Sequence, residues 1–363
     1  MTSHEFQQLI AGFRRLKEND FAGGAALATL VHTHGPVFRR AGARMLILGD
    51  GSIVRGLSAG CPEADIVSHA REVIGLAQAQ LLRYDREHGY DALLELGCGG
   101  ELEVLLEPLR GPADLHFADA VEQCLRGRRE GVLATVFAQD GHCLPQPRHL
   151  VWCERVLLDE LDDPRLADVL LSQALADGAK PTARREQLST RSGPLQVLIE
   201  RIQPPLRLVL VGVNTTALSL AQLARGLGWP VQLVDHRDDA PAPALPDGAE
   251  LVRATPQALV QRLVPDARTA VVVMTHNLAR DIDCLQALRE QRLAYLGALG
   301  SRARAVKMRE ALGSTAVPLH SPAGLDIGSE TPEEIALAVA AEIQSVVSDH
   351  RGGRLSAGDG PIH

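Results

Sequence analysis

The strongest constraint in the sequence is the strict alternation, from Leu206 onward, of short apolar runs with amphipathic stretches. Strands are predicted at Leu206 to Gly212, Val231 to Asp235, Ala270 to Met274 and Ala294 to Leu296. Between and after them lie predicted helices at about Thr216 to Leu227, Pro256 to Leu263, Ala279 to Glu290 and Ser301 to Leu312. Thr331-Pro332-Glu333-Glu334 reads as a capping box that opens a final helix. Parallel strands need a crossover between neighbours, so this order predicts a doubly wound parallel sheet.

The first half is patterned differently. A helix is expected over Glu5 to Asn19 and a strand over Ala25 to His32. A hairpin follows, Arg44 to Leu48 and Ser52 to Gly56, turning at Gly49-Asp50-Gly51. A long apolar periodicity runs from Pro62 to Leu82 and predicts a helix with Cys61 as its N-cap. Strands at Ala92 to Leu96 and Leu102 to Leu106 flank Gly97-Cys98-Gly99-Gly100, and a helix is expected over Ala113 to Arg126. Val132 to Ala138 and Gln196 to Ile202 read as further strands, separated by a polar, mobile segment from Lys180 to Ser192. Pro204-Pro205 closes this half. The expected division is a mixed α+β domain at 1–203, a Rossmann-like doubly wound domain at 204–348 and a flexible tail at 349–363.

Composition narrows the function classes. A formal net charge of -8 and 3% aromatic residues give neither the basic surface nor the stacking rings that a nucleic-acid partner requires. Met1 to Arg15 lacks a long uncharged run, so neither a membrane span nor a secretory leader is expected, and the cytoplasm is the expected compartment. The six cysteines are scattered without a C-x-x-C pair, which suggests no zinc cage and no disulfide framework. A homodimer is the expected assembly, the commonest closed form for soluble chains.

Two groups of residues invite chemistry. In an open α/β sheet, ligands lie beyond the carboxyl ends of the strands. That gathers the loop from Gly212, the segment Asp235-His236-Arg237, the pair Thr275-His276, and Gly297 to Arg302, which includes Gly300, Ser301 and Arg302. Asp235 follows Gly212 by 23 positions, where a dinucleotide fold places its ribose-binding carboxylate. The turn itself reads Gly212-Val213-Asn214-Thr215-Thr216-Ala217, with a side chain in place of the second glycine of G-x-G-x-x-G/A. This weighs against tight NAD(P) binding and leaves helix N-termini and arginines as phosphate donors. His276 reads as an acid/base or as a turn residue whose imidazole Asp281 fixes.

In the first half, Cys61 is expected to be the most acidic thiol, ionised by the N-H groups at the start of its helix. Ser58, Ala59 and Gly60 leave room for a planar ligand or a metal-bound sulfur. Cys98 is the second candidate, and Arg39, Arg40 and Arg44 are candidates for phosphate contacts. His32-x-His34 reads as surface or packing.

Arg40 to Leu46, Gly56-Leu57-Ser58-Ala59-Gly60-Cys61-Pro62-Glu63 and Cys98-Gly99-Gly100 resemble the N-terminal domain of the xanthine dehydrogenase accessory (XdhC/CoxI) family. Leu210-Val211-Gly212, Val234 to Arg237, Thr275-His276 with Asp281, Leu299 to Arg302, Pro322 to Gly328 and Thr331 to Ala336 are similar to its Rossmann domain. The resemblance implies a carrier and insertion chaperone without turnover of a small substrate. Its cargo would be the molybdenum cofactor, molybdopterin or its dinucleotide form. The implied role is to protect the sulfurated cofactor and deliver it to the large subunit of a xanthine dehydrogenase-like molybdenum hydroxylase. A cysteine desulfurase and cofactor-biosynthesis proteins are further implied partners.

Carried over by motif, Cys61 with Gly60, Glu63 and Arg44 is the cofactor-binding segment, with Cys61 a contact to the molybdenum; Cys98 with Gly99 and Gly100 is the second. A cleft between the domains is the expected seat. Ala59 and Asn214 depart from the family's glycines. The alternatives are an NAD(P)-dependent oxidoreductase using the second domain and a persulfide carrier using Cys61.

Overall fold

The structure, a computed structural model, describes residues 2–35, 37, 39–57, 61–85, 100–161, 163–176, 183–190, 193–237 and 243–357, with the backbone alone at residues 61 and 176. The chain divides into two compact units, Met1–Pro204 and Pro205–His363.

The first unit opens with α1 (Ser3–Glu18), held at its start by a capping box between Thr2 and Glu5. Its apolar stripe, Phe6, Leu9, Ile10, Phe13 and Leu16, is buried at helical spacing. Two antiparallel five-stranded sheets follow. In the first, β1 (Ala25–His34) lies between β2 (Arg44–Leu48) and β5 (Glu101–Leu109), with β3 (Ile53–Val54) and β4 (Gln80–Tyr84) at the edges. In the second, the order is β8 (Arg155–Asp159), β7 (His142–Cys153), β6 (Gly131–Gln139), β10 (Gly193–Ile202) and β9 (Arg184–Thr190).

The two sheets pack face to face. Leu27, Leu46 and Leu109 meet Leu133, Val151 and Ile202 in one apolar layer. Val31 and Leu105 meet Phe137 and Leu198 in another. On the outer faces, α2 (Cys61–Leu76) covers the first sheet with Ile66, Ala70 and Val73. Phe117 and Val121 of α3 (His116–Arg126) join the α1 stripe in one core. The second sheet is covered by α4 (Pro164–Ala176) through Leu166, Leu170 and Ala174.

Three expectations are corrected here. The helix predicted to Leu82 stops at Leu76: Ala77 takes a left-handed φ of 55° and the chain re-enters as β4, paired with β5 from Gln80↔Leu106 to Tyr84↔Leu102. The segment Lys180 to Ser192, read as mobile, contains β9, a charged edge strand zipped onto β10 with Leu188 as its buried residue. Residues 113–115, expected in α3, belong instead to a 3₁₀ turn, Pro112–Leu115. The predicted strand Ala92 to Leu96 lies outside the described residues.

The second unit is a parallel sheet in the order β13 (Ala249–Arg253), β12 (Val231–Asp235), β11 (Arg207–Val211), β14 (Thr269–Val273), β15 (Tyr295–Ala298) and β16 (Leu319–His320). This is the 3-2-1-4-5-6 order of a Rossmann fold. Its central strands are continuous apolar runs because both faces are covered. Helices α5 (Thr215–Gly226) and α9 (Pro332–Val347) bury Leu220, Ala224, Val339 and Ile343 on one face. On the other, α6 (Leu259–Leu263), α7 (Leu278–Leu288) and α8 (Arg302–Leu312) bury Leu263, Leu285 and Met308. The capping box of α9, Thr331 with Glu334, is as expected. β13 lies just beyond the Pro-rich stretch, where periodicity announces no strand, and Leu355–Ala357 form one 3₁₀ turn in the tail.

Candidate functional site

In the first unit, Cys61 is the first residue of α2, one place further into the helix than the N-cap predicted for it. Gly60, Cys98 and Gly99 lie outside the described residues. Gly100, at the foot of β5, is buried, and a Cβ placed on Gly35 would stand 3.5 Å from its Cα. Glu63, in the first turn of α2, lays its carboxylate over Gly56, where an added Cβ would come within 2.5 Å of Oε1. Gly56 thus leaves the space that the Glu63 carboxylate fills.

Beside this turn runs an open groove of about 360 Å³ between the β2–β3 hairpin and α2. Gly51 and Ile53 form one wall; Ala64, Ser68 and Arg71, at i, i+4 and i+7, form the other, with Glu63 and Val67 completing it. Arg71 and Ser68 are functional candidates that reading by motif passes over. The signal for them is helical spacing counted forward from Cys61.

The expectation for Arg44 is overturned. Arg44 is 3% exposed and sits between the two sheets, where Nη1 donates to Glu200 Oε1 at 2.8 Å and Nη2 donates to Glu200 Oε2. Burial alone would favour losing its proton, but the charge of Glu200 holds the guanidinium more firmly protonated than usual. It cannot meet a ligand's phosphate. Arg39 is likewise spent on Glu5 (2.5 Å), which Arg55 also contacts at 2.8 Å. Burial opposes ionisation of Glu5, yet the Thr2 amide and the two guanidinium groups bring its pKa down to about 2. Arg40 remains exposed.

The same layer holds His149, stacked on Phe117 at 4.4 Å. Its Nε2 lies 3.4 Å from Glu107 and its Nδ1 3.2 Å from Glu160. Burial disfavours the imidazolium, but the two carboxylates outweigh it and push the pKa up to about 9.

In the second unit, the predicted residues gather at the carboxyl ends of β11, β12, β14 and β15. Gly212 has a φ of +117°, and a Cβ there would lie 2.7 Å from the Met274 carbonyl oxygen, so glycine is required for the approach of β11 to β14. Asn214 caps α5: Oδ1 accepts from the Ala217 amide at 3.0 Å and Nδ2 donates to Met274 O at 2.8 Å. The side chain occupies the turn through which a pyrophosphate would reach the backbone.

Asp235 ends β12 as expected, but its carboxylate is already taken. Arg237 donates to it through its amide and Nε, both at 3.1 Å, and through Nη2 at 3.0 Å; Arg253 from β13 adds a contact at 3.0 Å. Burial would raise its pKa, but these hydrogen bonds and charges hold it below the usual carboxylate range. A ribose diol would have to displace two guanidinium groups. Next to it, burial and the nearby Arg280 hold the His236 imidazole below its usual pKa.

The role given to Asp281 is also corrected. Its Oδ1 accepts from Thr275 N (3.1 Å) and Thr275 Oγ1 (2.6 Å), and its Oδ2 from Arg304 Nη2 (2.5 Å), so it fixes the Thr275 turn and α8 rather than the His276 imidazole. His276 is exposed with a φ of +60°, and its carbonyl accepts from Arg304 at 3.3 Å. Ser301 is the N-cap of α8, accepting from the Arg304 amide at 3.3 Å, between Gly300 and an exposed Arg302. Among the described residues no group of three or more His, Cys, Asp or Glu side chains is arranged to hold a metal ion, and no helix is long and apolar enough to cross a membrane.

A Rossmann unit with its glycine turn filled by asparagine, preceded in the chain by a double antiparallel-sheet unit, defines a two-part α/β protein. Residues 22–85 match the model described as the XdhC and CoxI family, and residues 208–343 the one described as the XdhC Rossmann domain. A Bacillus subtilis protein named as a probable xanthine dehydrogenase subunit is 30% identical over 88% of this chain and 92% of its own length. The chain belongs to the XdhC and CoxI family. The Escherichia coli molybdenum cofactor insertion chaperone PaoD is 27% identical over 89% of this chain and 83% of its own. A crystal structure described as a xanthine dehydrogenase from Bacillus halodurans shares the fold, with a TM-score of 0.75 over 99% of this chain and 98% of its own at 22% identity.

Proposed function

We propose that this protein binds the molybdenum cofactor, in its molybdopterin or dinucleotide form, and delivers it to the large subunit of a xanthine dehydrogenase-like molybdenum hydroxylase. The observation that carries the reading is the alignment of 89% of the chain with a relative named a molybdenum cofactor insertion chaperone. The chemistry of the first unit supports it. Cys61 opens a 16-residue helix, and the unpaired amides of a helix's first turn favour a thiolate, a soft ligand for the cofactor's metal. Protection of a sulfurated cofactor, with a cysteine desulfurase as the source of its sulfur, is part of the same proposal. So are Gly60, Glu63, Cys98, Gly99 and Gly100 as the walls of the cofactor seat.

In the second unit, Gly212, Thr275, His276, Gly300, Ser301 and Arg302 are proposed as further cofactor-binding residues. Asp235 and Arg237, bound to each other, would enter as a neutral pair. The NAD(P)-dependent alternative finds less support, because Asn214 fills the pyrophosphate turn and Asp235 is saturated. The test is co-purification of the tagged full chain with an apo-hydroxylase, followed by acid oxidation and chromatography of the bound pterin. A fluorescent pterin product is expected at a fixed ratio to protein. Micromolar NADH binding with no pterin recovered would reverse the order of the two readings.

A further inference from the structure

We infer that the groove between the β2–β3 hairpin and α2 is an anion subsite for the phosphate-bearing arm of a flat heterocyclic ligand, with Arg71 as its anion contact. This rests on the reading of the chain as a cofactor carrier and assigns part of that site.

Three observations lead there. The first is charge segregation along α2. Asp65 accepts from the Tyr84 hydroxyl at 2.7 Å, and His69 lies 3.7 Å from both Asp65 and Glu72. Those carboxylates are therefore gathered on one side of the helix, while Ala64, Ser68 and Arg71 line the groove. The second is that Arg71, exposed on the helix, lines this groove and makes no hydrogen bond or ion pair among the described residues. A guanidinium left without a carboxylate keeps its fork available for phosphate oxygens, which it matches in geometry.

The third is the opposite wall. Gly51 has a φ of +86°, and a Cβ there would come within 3.2 Å of Arg71 Nη2, so the turn leaves the guanidinium its place. Beside it Ile53 is 43% exposed, an apolar surface against which a planar ring can lie. Glu63, the one carboxylate on the groove, is turned over Gly56 at the end nearer the helix start. Cys61 and Arg71 are ten residues apart, about 15 Å of axial rise, and helical side chains lean toward the N-terminus. The Arg71 Nη2 itself lies beside the Gly51 turn of the hairpin. A ligand bound at the helix start by its soft, metal-bearing end would direct an anionic arm to Arg71.

The experiment is calorimetric titration of the full chain with inorganic pyrophosphate, alongside retention of molybdenum cofactor released from a molybdenum hydroxylase. Wild type, Arg71→Ala and Arg71→Lys are compared, with circular dichroism as the control for folding. Arg71→Ala should weaken pyrophosphate binding about tenfold, the loss of one charge-assisted contact. Arg71→Lys, which keeps the charge but loses the planar fork, should bind between wild type and Arg71→Ala. Equal affinity in wild type and Arg71→Ala, or no pyrophosphate binding by wild type, overturns the subsite. If pyrophosphate binding depends on Arg71 while wild type retains no cofactor, the carrier reading fails and the subsite stands.

Discussion

Asn214 and Met274 are joined by a 2.8 Å hydrogen bond from the asparagine Nδ2 to the methionine carbonyl, across the gap between the ends of β11 and β14. The same side chain caps α5 through Ala217. One residue thereby does two things that a glycine at this position cannot do: it satisfies a helix amide and ties two strand ends together. The turn is built as a closed corner.

Replacing Asn214 with aspartate keeps the capping oxygen but sets a carboxylate oxygen against the Met274 carbonyl. Asn214→Asp should lower unfolding stability by about 1–2 kcal/mol through the lost donor. Asn214→Gly removes both bonds and should cost a similar amount, because glycine is itself a tolerable cap. Urea unfolding of the full chain, followed by the near-ultraviolet signal of Trp229 in the same unit, measures both. An unchanged midpoint for Asn214→Asp would show that the bond to Met274 carries no stability.

Arg44 and Glu200 form a buried pair, each less than 10% exposed. Arg44→Met leaves the glutamate charge uncompensated between the sheets and should destabilise by about 3–5 kcal/mol. The double variant Arg44→Met with Glu200→Leu should recover most of the loss, since removing both charges removes the penalty. Equal stability of the single and double variants would show that the two side chains are not coupled.

His149 provides a pH dependence of definite sign. Its folded pKa of about 9 stands above its ordinary value of 6.5. The stability it contributes is therefore fully present below about pH 6.5 and is lost as the pH rises through 9. Unfolding of wild type and His149→Gln at pH 6 and pH 9.5 should show a difference between them that shrinks at the higher pH by on the order of 2 kcal/mol. A difference that grows with pH would reverse the assignment of His149 as a buried cation.

Cys61→Ala tests the thiol directly. Cofactor retention should fall while the circular dichroism is unchanged, the exchange at the helix start costing about 1 kcal/mol or less. Retention equal to wild type would remove Cys61 from the site.

The second unit was largely legible in the sequence because its strands are buried on both faces and its helices open with capping residues. Runs such as Val271-Val272-Val273 and the box at Thr331 have little other reading. The first unit was less so. Its sheets rest on pairings such as Arg184↔Ile199 that no local period encodes, and the 156 positions between Arg44 and Glu200 hide what the arginine is for. A charged residue at the head of an apolar strand looks solvated until its partner is known. At Asp235 the spacing rule found the place but not the state, because Arg253 arrives from β13, a strand that follows the Pro-rich stretch. Arg71 was missed for the opposite reason: a lone arginine on an amphipathic helix reads as a wetted face, and only the opposing hairpin turns it into a wall.

The charged stripe formed by Arg44, Glu107, His149 and Glu200 between two greasy layers has a consequence for how the first unit is assembled. Slipping the strand that carries any one of these charges by one residue in its pairing would send that charge to the outer face, beneath α2 or α4, and strand its counter-ion in oil. Correct docking is thus rewarded and near misses are penalised. Either sheet on its own, before the other arrives, wears a mottled face that water tolerates and other chains have little cause to seize.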